Sequence, residues 1–212
     1  MAIPSREEMQ RAFSLRHGEI LAGKFGKASV AVCGLGGLGS NIAVCLARAG
    51  IGRLHLIDFD RVDISNLHRQ QYFADQLGMD KTEAMKENLA RIAPYCRVET
   101  DAVRLTAENI PVLLAGEEII CEAFDRPEEK SMLVDAVAAS FPEKYLVCGS
   151  GMAELASANL IRTRKLGNRF YLCGDGTNGV RRGGGLFATR VMACAAHQAH
   201  MVLRLVAGET EP

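Results

Sequence analysis

Three glycines, Gly34, Gly36 and Gly39 in VCGLGGLGS (32–40), separate an apolar run from a helical stretch, and Asp58 closes the next apolar run. Such a turn lets backbone N–H groups approach phosphate or ribose with no Cβ in the way, at the positive end of a helix dipole. The acid roughly 20 residues downstream completes the form of a dinucleotide fingerprint. A turn of this kind serves NAD, ATP or nothing more than close strand-to-helix packing. The polar segment DFDRVDISNLHRQQYF (58–73) bears on the choice, because it sets Asp58, Asn66 and Arg69 just past the second strand, around whatever lies on the turn. Arg69 followed by Lys81 supplies two cations, which suits a triphosphate that must lose pyrophosphate. Hydride transfer to a nicotinamide has no use for them, although each residue taken singly reads as an ordinary surface charge.

The elements that must position these groups follow from the apolar pattern. ASVAVC (28–33) reads as a buried strand, SNIAVCLARAG (40–50) as a helix closed by Gly50, and RLHLIDFD (53–60) as a second strand. Strand, glycine turn, helix, strand is a right-handed βαβ unit and demands a parallel sheet. Helices are expected near 79–93, 106–115, 127–140 and 187–207, and strands near 96–101, 118–123 and 144–148. The fold class is therefore α/β, a doubly wound, Rossmann-like, mostly parallel sheet with ligands at the C-terminal ends of its strands. Ser5 and Glu8 stand in capping-box spacing and open an amphipathic helix over 5–22. The expected organisation is one domain: a helical arm (1–27), a nucleotide-binding core (28–150), and C-terminal loops and helix (151–212).

Lys plus Arg and Asp plus Glu number 25 each, so no basic excess points to nucleic acid. No apolar run reaches the roughly 20 residues of a membrane span, and the first thirty residues lack a secretory apolar core. A cytoplasmic protein without membrane contact is expected. The seven cysteines are scattered singly through apolar stretches, as reduced core thiols are, and no CxxC pair offers a zinc site.

The motifs VCGLGGLGS (32–40), LIDFD (56–60), SNLHRQ (65–70), GMDK (78–81) and CEAFD (121–125) together resemble the ThiF/MoeB/HesA group, bacterial relatives of the ubiquitin-activating E1 enzymes. YLCGDG (171–176) and AAHQAHMVLRL (195–205) most resemble the short, divergent ThiF-like branch of thiamine biosynthesis. The resemblance implies an adenylyltransferase that uses ATP and Mg²⁺ to activate the terminal carboxylate of a small ubiquitin-like sulfur-carrier protein ending in Gly-Gly. It implies a homodimer and a sulfur-donor protein. It sets Gly37 and its neighbours against the nucleotide and Asp58 on the ribose, with Asn66, Arg69 and Lys81 on the phosphates and Asp125 on Mg²⁺. Asp125 follows the strand IICEAF, where a metal ligand belongs, but the same place suits the N-cap of the helix from Pro127. The family carries an Arg-Gln pair in its arm, whose arginine reaches the other subunit's triphosphate; here the pair is Arg16-His17.

Longer relatives bear two CxxC pairs and a separate cysteine that bonds to the carrier. Cys173 is the candidate here, as a cysteine read outside strand and helix, with buried packing as the plainer role. Gly174, Gly176 and Gly183 to Gly185 are candidates to line a channel for a Gly-Gly tail. His197 and His200, three apart, lack a third metal ligand and are left out of the site. Two further readings stay open: an NAD-dependent oxidoreductase, and a nucleotide- or carrier-binding module without turnover.

Overall fold

The computed structural model describes residues 3–177, 179 and 184–212. Seven strands form one sheet in the order β3-β2-β1-β4-β5-β7-β6, where β1 is Ser29–Cys33, β2 Arg53–Ile57, β3 Arg97–Asp101, β4 Ile119–Glu122, β5 Tyr145–Gly149, β6 Arg162–Lys165 and β7 Phe170–Gly174. All neighbours run parallel except β6, which is antiparallel to β7. The strand order reverses between β1 and β4, so the loops that leave these two strands diverge and open a crevice.

Alternation along the strands assigns each face its core. Val30, Val32, Leu54, Leu56, Cys121 and Val147 point toward α3 (Gly37–Ala49), α4 (Lys81–Ile92) and α7 (Ala188–Ala207). Ala31, Cys33, Ile57, Ile120, Leu146 and Cys148 point toward α5 (Ile110–Leu113) and α6 (Pro127–Ser140). Both faces are covered, which is why these strands read as unbroken apolar runs.

Three expectations change. The arm is two helices, α1 (Arg6–His17) and α2 (Glu19–Lys27), because Gly18 takes φ +82° and ends the first. The Ser5–Glu8 capping box does form, at 3.2 and 2.7 Å. The helix expected near 106–115 shrinks to one turn at Ile110–Leu113, with Pro111 as its second residue and Leu114 as its C-cap. Beyond residue 150 the chain does not dissolve into loops but adds β6 and β7 to the same sheet. Among the described residues no helix is long and apolar enough to cross a membrane.

Candidate active site

Gly34 leaves β1 with φ +91° and donates its N–H to Ile57 O at 2.8 Å, tying the turn to the end of β2. A Cβ on Gly39 would lie 1.8 Å from Gly34 O, so Gly39 serves the close crossing of α3 over β1. It does not line the cavity described below, whereas Gly34, Gly36 and Gly37 do. The packing role of Gly39 is the one its close approach to Gly34 O supports.

Asp58 fixes the other wall of the turn. Its Oδ2 accepts from Leu35 N at 2.5 Å and its Oδ1 from Asp60 N at 2.8 Å. Burial pushes this carboxyl above its ordinary range, with the Lys81 charge and the two backbone donors opposing. Tyr72 donates to Leu35 O at 2.9 Å, Ser40 to Gly36 O at 2.7 Å, and Asn41 to Gly37 O at 2.7 Å. These clasps keep the turn's carbonyls occupied and leave α3 with its N-terminus at the crevice, since neither Gly36 nor any side chain caps it.

The crevice is a cavity of about 620 Å³, within the usual range for small-molecule sites. Asp58, Asn66, Arg69, Lys81 and Asp125 all line it. The Arg69 stem lies against Gly37, where an added Cβ would stand 3.6 Å from it, and its guanidinium donates to Asn66 Oδ1 at 2.8 Å. Asn66 thus orients Arg69. Desolvation pulls the Arg69 pKa below its ordinary value against the attraction of Asp125. Lys81, at the first turn of α4, is 5 % exposed and donates to Asp60 Oδ2 at 2.9 Å. Asp125 is exposed three residues past the end of β4, and the N-cap of α6 is Arg126, so Asp125 is not the helix cap. One carboxylate beside phosphates is the donor set Mg²⁺ takes, because that ion keeps waters and needs only one or two protein oxygens. Among the described residues no cluster of three or more His, Cys, Asp or Glu could hold a metal alone.

Arg16 is not in this cavity. Phe13 packs at Gly50, beyond the C-terminus of α3, while the cavity lies at that helix's N-terminus, about 20 Å away at 1.5 Å per residue. Tyr95 OH binds Pro4 O at 2.7 Å and the Arg6 guanidinium lies over the Tyr95 ring, which holds the arm there. Cys173 is not in a loop but in β7, fully buried, with its Sγ 3.5 Å from Thr163 Oγ1. Burial raises its pKa to about 11 despite the Thr163 bond, which leaves no thiolate at neutral pH. His197 Nδ1 meets Thr163 Oγ1 at 3.1 Å, and His200 is exposed. Gly174 and Gly176 have φ of +133° and +73° and pack on Ser150 and Arg164; Gly183 lies outside the described residues.

A staple between strand ends lies beside these predicted residues. Lys130 on α6 donates to both oxygens of Glu122, at 2.8 and 3.0 Å, and to Gly149 O at 2.8 Å. Glu122 is 1 % exposed, and burial raises its pKa against the Lys130 charge. Gln198 on α7 adds a bond to Glu122 O at 2.9 Å. Its signal in the sequence is an acid inside the apolar run IICEAF with a lysine on the following helix. Val191 of α7 closes the cavity over Gly37.

Residues 9–212 match the ThiF family. Over 122 residues the chain is 37% identical to the sulfur carrier protein adenylyltransferase of Thermus thermophilus, covering 57% of this chain and 40% of that one. Over 130 residues it is 37% identical to the adenylyltransferase and sulfurtransferase MOCS3 of Anopheles gambiae, covering 61% and 29%. The chain thus spans less than half the length of these relatives. The crystal structure of E. coli tRNA N6-threonylcarbamoyladenosine dehydratase, TcdA, in complex with ATP superposes with a TM-score of 0.87 at 23% identity, covering 98% of each chain. That likeness concerns the fold.

Proposed function

Since the chain belongs to the ThiF family, we propose that it activates a carboxylate with ATP, forming an acyl adenylate and releasing pyrophosphate. The observation that carries this reading is the meeting of Arg69, Lys81 and Asp125 in one cavity at the open N-terminus of α3. A carboxylate is already ionised near pH 7, so the reaction needs no side-chain base or nucleophile. It needs charge compensation and alignment. As the carboxylate oxygen bonds to the α-phosphorus, the bond to the β-phosphate oxygen breaks and negative charge moves onto the leaving pyrophosphate. Arg69, oriented by Asn66, and Lys81, anchored by Asp60, hold that charge. Asp58 accepts from the ribose, and Asp125 holds Mg²⁺, which neutralises phosphate charge when bound. An NAD-dependent oxidation would leave both cations without use.

For the carboxylate that is activated we favour the C-terminus of a small sulfur carrier ending in Gly-Gly, on the support of relatives named sulfur carrier protein adenylyltransferase and MOCS3. Within that reading the carrier is ThiS-like and serves thiamine synthesis, on the support of YLCGDG and AAHQAHMVLRL alone. The reading puts the chain in the cytoplasm, with ATP and reduced thiols, as a homodimer with a separate sulfur donor. A second reading is that the carboxylate is borne by a modified tRNA. It is favoured by the near-complete mutual coverage with the tRNA N6-threonylcarbamoyladenosine dehydratase, and by the exposed arginines Arg162, Arg164 and Arg169 along β6 and its turn.

The test is ATP–[³²P]pyrophosphate exchange with Mg²⁺, supplied in turn with each Gly-Gly carrier of the source organism and with its bulk tRNA. Exchange that needs one intact carrier and stops when its last glycine is removed supports the first reading. ATP turnover that needs tRNA supports the second. Absence of either, with tight NAD(H) binding, would overturn adenylation.

A further inference from the structure

A short bridge of side chains runs along the wall of the cavity. The Arg104 guanidinium lies 4.2 Å from the centre of the Phe59 ring. Its Nη1 donates to Glu129 Oε1 on α6 at 2.9 Å. All three residues line the same cavity as the glycine turn. Asn109 Nδ2 donates to Arg104 O at 3.0 Å, which pins the backbone beneath the arginine. A partly exposed ion pair and an exposed cation–π contact are each weak, and together they order a long side chain at an entropic cost. Their value therefore lies in where they hold the guanidinium plane.

The sheet order says what lies under it. The three loops on this side follow β1, β2 and β3, which are neighbours in space. The glycine turn follows β1, Asp58 follows β2, and Val103, Arg104 and Leu105 follow β3. A nucleotide with phosphates on the turn and ribose at Asp58 must extend its base toward the third loop. There Ile57 and Leu105 are apolar and buried, Val103 is apolar and exposed, and all three line the cavity together with Arg104.

Resting on the adenylation reading, we infer that Arg104 is the base-stacking residue of the nucleotide site, held flat by Phe59 and Glu129 so that a purine slides between its guanidinium and the apolar floor. A guanidinium stacks well on any π-face, and an ammonium does not offer the same plane. The role is one of binding; Arg104 touches neither the reacting carboxylate nor the phosphates.

The experiment is calorimetric binding of Mg·ATP and of Mg·tripolyphosphate, which lacks ribose and base, to the unaltered chain and to Arg104→Ala and Arg104→Lys, with circular dichroism as the folding control. Both variants are expected to bind ATP roughly tenfold more weakly, with tripolyphosphate affinity within about twofold of the unaltered chain. Equal loss for both ligands, full rescue by lysine, or no loss at all overturns the inference, because Arg104 would then act through charge or not act. An unaltered chain that binds no ATP overturns the adenylation reading itself, and that result is distinct from the other three.

Discussion

Lys81 gives its ammonium to Asp60 at 2.9 Å while nearly all of its own side chain is buried and half of the Asp60 side chain faces solvent. The lysine thus lines the cavity already aligned, and on the proposed reading its two other donors serve phosphate oxygens. Lys81→Ala and Arg69→Ala are each expected to lower kcat/KM for pyrophosphate exchange roughly 100-fold or more, the cost of losing one pre-set charge-stabilising donor. Asp60→Asn keeps the lysine and is expected to cost about tenfold at most. Exchange unchanged in both alanine variants would remove these cations from the site.

Gly39→Ala tests the turn rather than the chemistry. Its Cβ would sit 1.8 Å from Gly34 O, and backbone cannot swing aside as a side-chain tip does. A loss of ~3 kcal/mol is expected, or about 6–12 °C in Tm for a chain of this size, read by thermal unfolding.

A pH dependence of stability centres on His55. This buried ring lies 2.8 Å from Asp101 and 3.3 Å from Glu117. Burial disfavours its charge, yet the two carboxylates outweigh burial and raise its pKa above the ordinary 6.5. A raised histidine pKa stabilises the folded state fully below the unfolded value, and the contribution fades as pH climbs through the folded value. Denaturant unfolding should therefore show stability falling from mildly acidic to mildly alkaline pH. His55→Gln should flatten that slope, and a slope that persists in the variant would assign it to another group.

The thiols should divide by exposure. Cys45 is exposed on α3, whereas Cys173 is fully buried with its pKa raised to about 11. Iodoacetamide at neutral pH is expected to label Cys45 well before Cys173, and Cys173→Ala should retain pyrophosphate exchange. Rapid native labelling of Cys173 would revive it as a carrier attachment point.

Arg16 can serve a cavity only from another subunit. If it does, Arg16→Ala and Arg69→Ala are each weak alone, and an equal mixture regains about a quarter of full exchange. Half of the mixed population is then heterodimer, and each heterodimer has one complete site of two. No recovery, or a monomer at every concentration in sedimentation, would leave Arg16 a solvated charge.

Much of this was legible because fully covered parallel strands carry their signal in single residues: ASVAVC and the IIC of β4 can be little else. That the glycine turn, Asp58, Arg69, Lys81 and Asp125 come together at one cavity was equally legible, because all of them stand just past the ends of neighbouring strands or at a helix start. What escaped depends on partners far apart in sequence. RTRK in β6 is an edge strand whose charges face solvent, so it has no apolar alternation to show. Cys173 looked like a loop residue because GDG follows it, although burial by Thr163 and α7 decides its chemistry. Gly18 breaks the arm at a position where a lone glycine is often tolerated inside a helix. The Arg104–Phe59–Glu129 bridge joins two loops and one helix that only the sheet order brings together.

The contact of Val191 with Gly37 also sets a timetable for the ribosome. The first three strands can pair as soon as residue 101 has emerged, since β1, β2 and β3 are neighbours needing nothing further along the chain. The cavity itself is unfinished until Asp125, Lys130 and finally Val191 arrive. The nascent glycine turn must therefore wait, uncovered by Val191, through the synthesis of some ninety further residues, about 5–20 seconds at roughly 5–20 residues per second.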